Sequence, residues 1–212
     1  MKKKFSIRNI AEIAIFAAIA FVFDALQSGI AKATMPVLAN GGSIGIAMLP
    51  ILIISYRRGL LSGILCGFIV SLIQMLGGIY VIDGQTQANE FLKTMGPFIQ
   101  VLFDYVLAYT VVGFAGAFAG LYHKSETNNK KLLFVILGSI VGGLLKYLCH
   151  VVSGLIFWPG EVWGISGNAY SFVYNGIYCL PNIVICTLLM VLIAKIYPMF
   201  INASDNKKVV SE

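Results

Sequence analysis

Long apolar runs fill most of this chain and constrain its fold more than any other feature. A helix needs roughly 20 apolar residues to cross the hydrocarbon core of a bilayer. Six runs approach or exceed that length, at 9–31, 36–56, 59–82, 97–121, 132–157 and 172–197. We therefore predict an all-α integral membrane protein. Its single domain, 1–212, would be a compact bundle of six transmembrane helices, ending in a polar tail at 198–212.

The composition supports a membrane protein. Hydrophobic residues make up 58% of the chain and charged residues only 11%, whereas soluble domains carry about 25% charged residues. The basic start followed by an apolar run resembles a secretory signal. Because this run is longer than the roughly 7–15 apolar residues of such a signal, we expect it to be a retained first helix.

Lysine and arginine are unevenly distributed among the loops. Basic residues cluster at the N-terminus, in the turns "YRRG" and "HKSETNNKK" and in the tail, whereas the opposite loops contain only Lys32 and Lys93. Since basic loops stay on the cytoplasmic side, we predict that both termini are cytoplasmic. This topology accounts for the net charge of +6, so we expect no nucleic-acid partner.

Ionisable side chains inside the apolar runs are the clearest functional signal, because such groups are costly in a membrane. With a rise of about 1.5 Å per residue, Asp104 lies about 10 Å from the outer start of its span. By the same measure His150 lies nearly 30 Å from the inner start of its own span. Three side chains from other spans reach the same outer level: Tyr80, Tyr170 and Asn175. We expect all of these to converge on one outward-facing zone.

The chemistry of this zone leaves several interpretations open. Lys146 and His150 are four residues apart and lie on one helix face. Asp104 could neutralise Lys146, hold a cationic ligand, or simply fix helix register in a buried pair. An acid, a base, an amide and several aromatic rings at one level favour a binding site for a flat, positively charged ring.

The first span carries two further candidates. Asp24 lies late in this span, where we expect it to contact water at the helix end. Ala14 and Ala18 have a spacing that lets helices approach closely, and a peripheral first helix could use them to dock a partner. Three glycine pairs of the same spacing are expected to pack within the bundle: Gly63/Gly67, Gly116/Gly120 and Gly138/Gly142.

The sequence lacks the motifs of several enzyme classes. It contains no G-x-x-x-x-G-K-[ST] phosphate loop, no H-E-x-x-H and no Cys/His metal spacing. Its four cysteines all lie in apolar runs, so we interpret them as reduced core residues. We therefore expect no catalytic activity, metal or cofactor.

Several segments resemble one family of membrane proteins. They are "EIAIFAAIAF", "LPILIISYRRG", "QVLFDYVLAY" and, as the most specific, "KYLCHVVSGLIFWPGEVWGISGNAYSFVYNG". Together they make the chain similar to the thiamine-specific S components, the substrate-binding subunits of energy-coupling-factor vitamin transporters. The resemblance extends from about residue 11 to residue 197.

This resemblance implies a multi-pass protein of a prokaryotic cell membrane that binds thiamine under the loop between the first two spans. It implies that Trp158 stacks on the ligand, while His150, Tyr170 and Asn175 contact the aminopyrimidine. Asp104 stands where the family often has glutamate. The remaining pocket residues implied are Tyr105, Lys146 and Tyr80.

The resemblance also implies partners. Ala14 and Ala18 would dock a transmembrane T subunit, and two ATPase subunits would supply the energy for import. The chain departs from the family in a longer loop at 83–96 and in the absence of tryptophan from "LANGGSIGIAM".

Two other functions stay open from the residues alone. One is an autonomous, proton-coupled carrier of a cationic aromatic solute, with Asp104 and His150 as the proton relay. The hydropathy of the two halves shows no inverted repeat, which many such carriers have. The other is a membrane scaffold in which the polar groups only fix helix packing.

Overall fold

The computed structural model describes residues 6–38 and 41–203. We number its principal helices α1 to α6: Ile7–Thr34, Met48–Arg58, Leu60–Leu76, Glu90–Lys124, Asn128–Phe157 and Gly167–Ile196. Short 3-10 turns lie at Pro36–Leu38, Gly84–Thr86 and Pro198–Phe200. The hairpin between α5 and α6 consists of two short antiparallel strands, β1 (Glu161–Val162) and β2 (Ile165–Ser166).

Four of the described helices, α1, α4, α5 and α6, are long and apolar enough to cross a membrane. Helix α3 is apolar but has only 17 residues, and α2 has 11. The predicted all-helical membrane protein is therefore confirmed. The six-span topology and the cytoplasmic termini stay predictions, and 204–212 of the predicted tail lie outside the described residues.

The predicted second span, 36–56, is helical only in its second half. The chain is irregular over 41–47, and α2 begins at Met48. Gly41 and Gly42 have φ angles of 138° and 86°, which side-chain-bearing residues rarely adopt. An apolar run cannot by itself distinguish a helix from buried irregular backbone, so the prediction of a continuous helix here was wrong.

The predicted third span, 59–82, also ends early. Helix α3 stops at Leu76, and Gly77 caps it with its backbone N–H. Gly78 follows with a φ of 111°, which turns the chain away from the helix axis. Residues 79–83 then run without helical structure towards the turn at Gly84–Thr86.

Helix α2 forms the centre of the hydrophobic core. All nine residues from Met48 to Tyr56 are buried, and Ile51, Leu52 and Ile54 are fully enclosed. Helices α1, α3, α4 and α6 all contact it. A helix that is apolar on every side is typical of a buried element rather than a lipid-facing one.

Small residues bring α3 and α5 close to α4. The backbone of Gly63 packs directly against Gly113, and Gly67 packs against the carbonyl of Tyr109. On the other side, a side-chain carbon at Gly142 would lie 2.7 Å from the carbonyl oxygen of Val112. The packing role predicted for these glycines within the bundle is confirmed at Gly63, Gly67, Gly116, Gly138 and Gly142, and it is wrong at Gly120, which has open space around it.

The N-terminal end of α1 and the C-terminal end of α2 are joined by ion pairs around one carboxylate. Glu12 lies 2.8 Å from the guanidinium of Arg57 and 2.7 Å from that of Arg58. Arg57 also donates to the carbonyl oxygens of Met199 and Asn202 at 2.7 and 3.0 Å. The basic turn thus ties α1 to the segment that follows α6.

Candidate ligand-binding site

A local change of helix geometry positions the acidic residue of the site. Helix α4 has π-helical geometry over Leu102–Leu107, and such segments frequently occur at functional sites. Asp104 lies within it. Its Oδ2 accepts hydrogen bonds from Gln100 Nε2 and from Trp158 Nε1, both at 3.0 Å. Two donors on one oxygen fix the orientation of the carboxyl group.

The other carboxyl oxygen faces helix α5. Asp104 Oδ1 lies 3.6 Å from His150 Nδ1, and the two side chains are 17% and 16% exposed. The predicted meeting of Asp104 with His150 is therefore present in the structure. Neither side chain is fully buried, so both keep some exposed surface at this level of the bundle.

Aromatic residues form the outer wall of this space. The rings of Tyr80 and Trp158 lie 5.5 Å apart at an angle of 51°. The backbone N–H of Tyr80 donates to the hydroxyl of Tyr105 at 3.0 Å. Tyr80 is 64% exposed, so this wall faces the surroundings of the protein.

A ladder of tyrosines on α6 forms the opposite wall. Tyr170 and Tyr174 stack with ring centroids 5.3 Å apart, and Tyr174 contacts Tyr178 edge to face at 6.3 Å. Tyr178 in turn contacts the ring of His150 at 5.8 Å. The predicted residue Tyr170 therefore joins the site through two intervening rings rather than by contact with Asp104.

Asn175 connects helix α6 to helix α5. Its Nδ2 donates to the backbone carbonyl of His150 at 3.2 Å and to that of Ser171 at 2.9 Å. Its Oδ1 accepts a hydrogen bond of 2.6 Å from the hydroxyl of Tyr178. Asn175 is 7% exposed, so this amide holds α5 and α6 together beneath the rings.

Lys146 lies apart from Asp104. Its Nζ is 3.5 Å from the centroid of the Tyr109 ring, and within the described part of the chain it forms no ion pair with Asp104. The Tyr109 hydroxyl donates to Asp24. The interpretation that left open an Asp104–Lys146 pair is therefore replaced by a Lys146–Tyr109–Asp24 arrangement.

Asp24 belongs to this second, buried network. It is 7% exposed, and it accepts a further hydrogen bond of 3.0 Å from Gln74. The expectation that Asp24 contacts water at the helix end was wrong. Helices α3 and α4 supply donors at this depth, so the carboxyl group is satisfied inside the bundle.

The first-helix alanines lie where a partner could reach them. Ala14 and Ala18 are both exposed on α1, whereas the neighbouring Ala17 is fully buried. Their role in docking stays a prediction. The four cysteines are free and buried, as predicted, and among the described residues no group of three or more acidic, His or Cys side chains could hold a metal ion.

Comparison with known proteins identifies the family to which this chain belongs. The sequence model of the family described as "Thiamine transporter protein (Thia_YuaJ)" matches residues 10–202. The chain belongs to this family.

Individual relatives agree with this assignment. Thiamine transporter ThiT of Bacillus subtilis (strain 168) is 32% identical over 201 residues, which cover 91% of this chain and 93% of the relative. Thiamine transporter ThiT of Lacticaseibacillus paracasei is 24% identical over 164 residues, covering 76% and 77% of the two chains. A solved structure of ThiT from Listeria monocytogenes matches with a TM-score of 0.72 and 25% identity, covering 92% of this chain and 97% of that one.

Membership of this thiamine transporter family, together with the apolar spanning helices, makes the chain a multi-pass protein of the plasma membrane with a transport role rather than an enzymatic one.

Sequence reasoning missed three residues that contact the predicted site residues: Tyr174, Tyr178 and Gln100. Tyr174 and Tyr178 follow Tyr170 at intervals of four residues, so helical spacing alone could have placed all three rings on one side of α6. Gln100 precedes Asp104 by the same interval, and it is 1% exposed. No sequence signal indicated Tyr109 as the neighbour of Lys146.

Proposed function

We propose that this protein captures thiamine from outside the cell and delivers it for ATP-driven import with a T subunit and two ATPase subunits. Relatives named as thiamine transporters support the ligand. Energy would have to come from other subunits, because the sequence contains no phosphate-binding loop of its own.

The oriented carboxyl group of Asp104 beside a series of aromatic rings carries this proposal. Thiamine consists of a cationic thiazolium ring joined to an aminopyrimidine, so it needs an acid and flat apolar surfaces. Trp158 would stack on the ligand rings, with Tyr80 beside it, and Asp104 would balance the positive charge. Tyr105 would support this wall through its contact with Tyr80.

The tyrosine ladder of α6 together with His150 and Asn175 forms what we call the inner wall, and this wall would recognise the aminopyrimidine. His150 would offer a ring nitrogen, and Asn175 would offer the second lone pair of the Oδ1 that accepts from Tyr178. Tyr170 lies at the outer end of the tyrosine ladder. Lys146 stays in the proposal as a pocket neighbour. Its contact with Tyr109 places it beside the ladder rather than against Asp104.

The topology of six spans with both termini cytoplasmic is part of the same proposal. Arg57 and Arg58 lie at the C-terminal end of α2, beside the start of α1. The positive-inside rule assigns this end of the bundle to the cytoplasm. Ala14 and Ala18, exposed on α1, would dock the T subunit, because small residues allow close helix contact in lipid.

One observation favours a second candidate function. Asp104 and His150 are 3.6 Å apart, so a small side-chain movement would bring them within the roughly 2.6–3.2 Å that a proton relay requires in an autonomous carrier of a cationic aromatic solute. Vesicles that contain only this chain separate the two. Thiamine uptake driven by a pH gradient, without ATPase subunits, would support the carrier and contradict the subunit role.

Binding by the isolated chain tests the proposal. The chain has two tryptophans: Trp158 lies in the site, whereas Trp163 is 71% exposed on the hairpin turn. A Trp163→Phe variant thus reports on Trp158 alone. We expect saturable quenching of its fluorescence by micromolar thiamine, and the matched Trp158→Phe variant should show none. Equal, unsaturable quenching of both variants would refute the proposal.

A further inference from the structure

The irregular segment 41–47 runs along the tyrosine ladder of α6. The carbonyl of Gly41 accepts a hydrogen bond of 2.8 Å from Tyr174. The next residue, Gly42, lies against the ring of Tyr178, which a side-chain carbon there would approach to 2.5 Å. The segment therefore follows the same face of α6 that carries the inner wall of the site.

This contact continues to Asn182, one further turn along α6. Asn182 Nδ2 donates to the carbonyl of Ser43 at 2.9 Å, and its Oδ1 accepts from the backbone N–H of Gly45 at 2.6 Å. Asn182 is 2% exposed. It lies about 22 Å along α6 from the outer end of that helix, so the segment reaches deep into the bundle.

A second amide holds the segment from the side of α1. Gln27 Nε2 donates to the hydroxyl of Ser43 at 2.9 Å, and Gln27 Oε1 accepts from the N–H of Ala47 at 3.0 Å. Gln27 is 7% exposed. Irregular backbone is tolerated at membrane depth only where other protein groups satisfy its N–H and C=O groups. Here two side-chain amides do so.

The amides affect the ligand site through one ring. Tyr178 contacts Gly42 on the segment and also contacts His150, while its hydroxyl holds Asn175. Moving the segment away would remove the packing that keeps Tyr178 in place. The inner wall of the site would then loosen around a bound molecule.

We infer that Asn182 and Gln27 are positioning residues that hold segment 41–47 against the tyrosine ladder and thereby set how long a bound ligand stays in the site. This inference rests on the proposed binding of thiamine. Neither amide needs to touch the ligand. Their effect should therefore appear in the dissociation rate of the ligand. They stabilise the packing of segment 41–47 against Tyr178 around a bound ligand, and they do not affect how the ligand first meets the protein.

Stopped-flow fluorescence with thiamine tests this inference in the full-length protein. We expect Asn182→Leu and Gln27→Leu each to raise the dissociation rate about tenfold, since each removes two hydrogen bonds, while the association rate changes less than about twofold. Ser43→Ala, which removes one bond from Gln27, should raise the dissociation rate about threefold. If Asn182→Leu does not fold, Gln27→Leu and Ser43→Ala still test the inference.

The matched control is Thr187→Val, on the same helix as Asn182. Within the described residues the buried hydroxyl of Thr187 has no hydrogen-bond partner, and valine has nearly the same shape. It should leave the dissociation rate unchanged. Because Asn182 and Gln27 both bind Ser43, their double variant should show less than the product of the two single effects.

Hydrogen exchange in the ligand-free protein gives an independent readout. The backbone N–H groups of Gly45 and Ala47 should exchange faster in Asn182→Leu and Gln27→Leu than in the wild type. Wild-type dissociation rates in both variants, or equal changes in all variants including Thr187→Val, would overturn the inference while the binding function stands. A wild-type protein that binds no thiamine would overturn the proposed function and this inference together.

Discussion

Replacing Asp104 with asparagine removes one negative charge and little else. Asparagine keeps an oxygen that can accept the hydrogen bonds from Gln100 and Trp158, both 3.0 Å long. Its NH₂ group would take the place of Oδ1, which faces His150. The local structure should therefore survive, and the loss in affinity should report mainly on electrostatic attraction to the thiazolium.

The size of the effect follows from Coulomb's law. A full charge about 5 Å from the carboxylate, at an effective dielectric constant of about 20, gives about 3 kcal/mol. The side chain of Asp104 is 17% exposed, so solvent screening reduces this value. We expect about 1–2 kcal/mol, which is a rise in Kd of about 5- to 30-fold.

Titration calorimetry of the purified variants measures this change. Asp104→Glu keeps the charge and serves as the matched control, with a smaller loss of affinity. A neutral aminopyrimidine alcohol, which lacks the thiazolium, should bind Asp104→Asn and the wild type with similar affinity. If Asp104→Asn binds thiamine as tightly as the wild type, the charge argument for Asp104 is wrong.

Three other substitutions test separate parts of the structure. Gly67→Val should lower the melting temperature in detergent, because its side chain would collide with a carbonyl of α4 at a cost of about 1–3 kcal/mol. Gly120 has open space around it, so Gly120→Ala should leave the melting temperature unchanged. Equal melting temperatures of the two variants would contradict the close packing of α3 against α4. Lys146→Met should destabilise the protein by leaving Asp24 without a nearby cation. Adding Asp24→Asn should restore part of the loss, and no restoration would argue against their coupling. Tyr178→Phe loses a hydrogen bond of 2.6 Å to the buried Asn175. It should weaken thiamine binding about threefold to tenfold and also lower the melting temperature, because a buried acceptor loses its donor. Unchanged affinity would show that this hydroxyl does not support the site.

The apolar runs predicted the long helices well, because length and composition largely determine whether a helix can cross a membrane. The same criterion failed at 41–47, because an apolar composition does not show whether a segment is helical. Most of that segment is apolar and at least half-buried. Gln27 and Asn182 bond some of its backbone groups, which therefore do not form helical hydrogen bonds. Such long-range partners, 137 residues apart for Gly45 and Asn182, leave no local pattern in the sequence.

The site was predicted in part. Counting residues along each span placed Asp104 and His150 at one level, and they do meet. Counting cannot give the direction in which a side chain points. The π-helical segment changes that direction around Asp104, and Lys146 turns towards Tyr109 although it shares a helix face with His150. Helix rotation and local winding depend on packing, which a single sequence does not show.

The central claim is that the isolated chain binds thiamine between the rings around Trp158. Equilibrium dialysis of the purified wild-type protein against labelled thiamine, beside Trp158→Ala, measures this most directly. We predict one thiamine per wild-type chain at micromolar or lower concentrations, with affinity in Trp158→Ala reduced at least about tenfold. Absence of binding to the wild type, or equal binding by both proteins, would contradict the account.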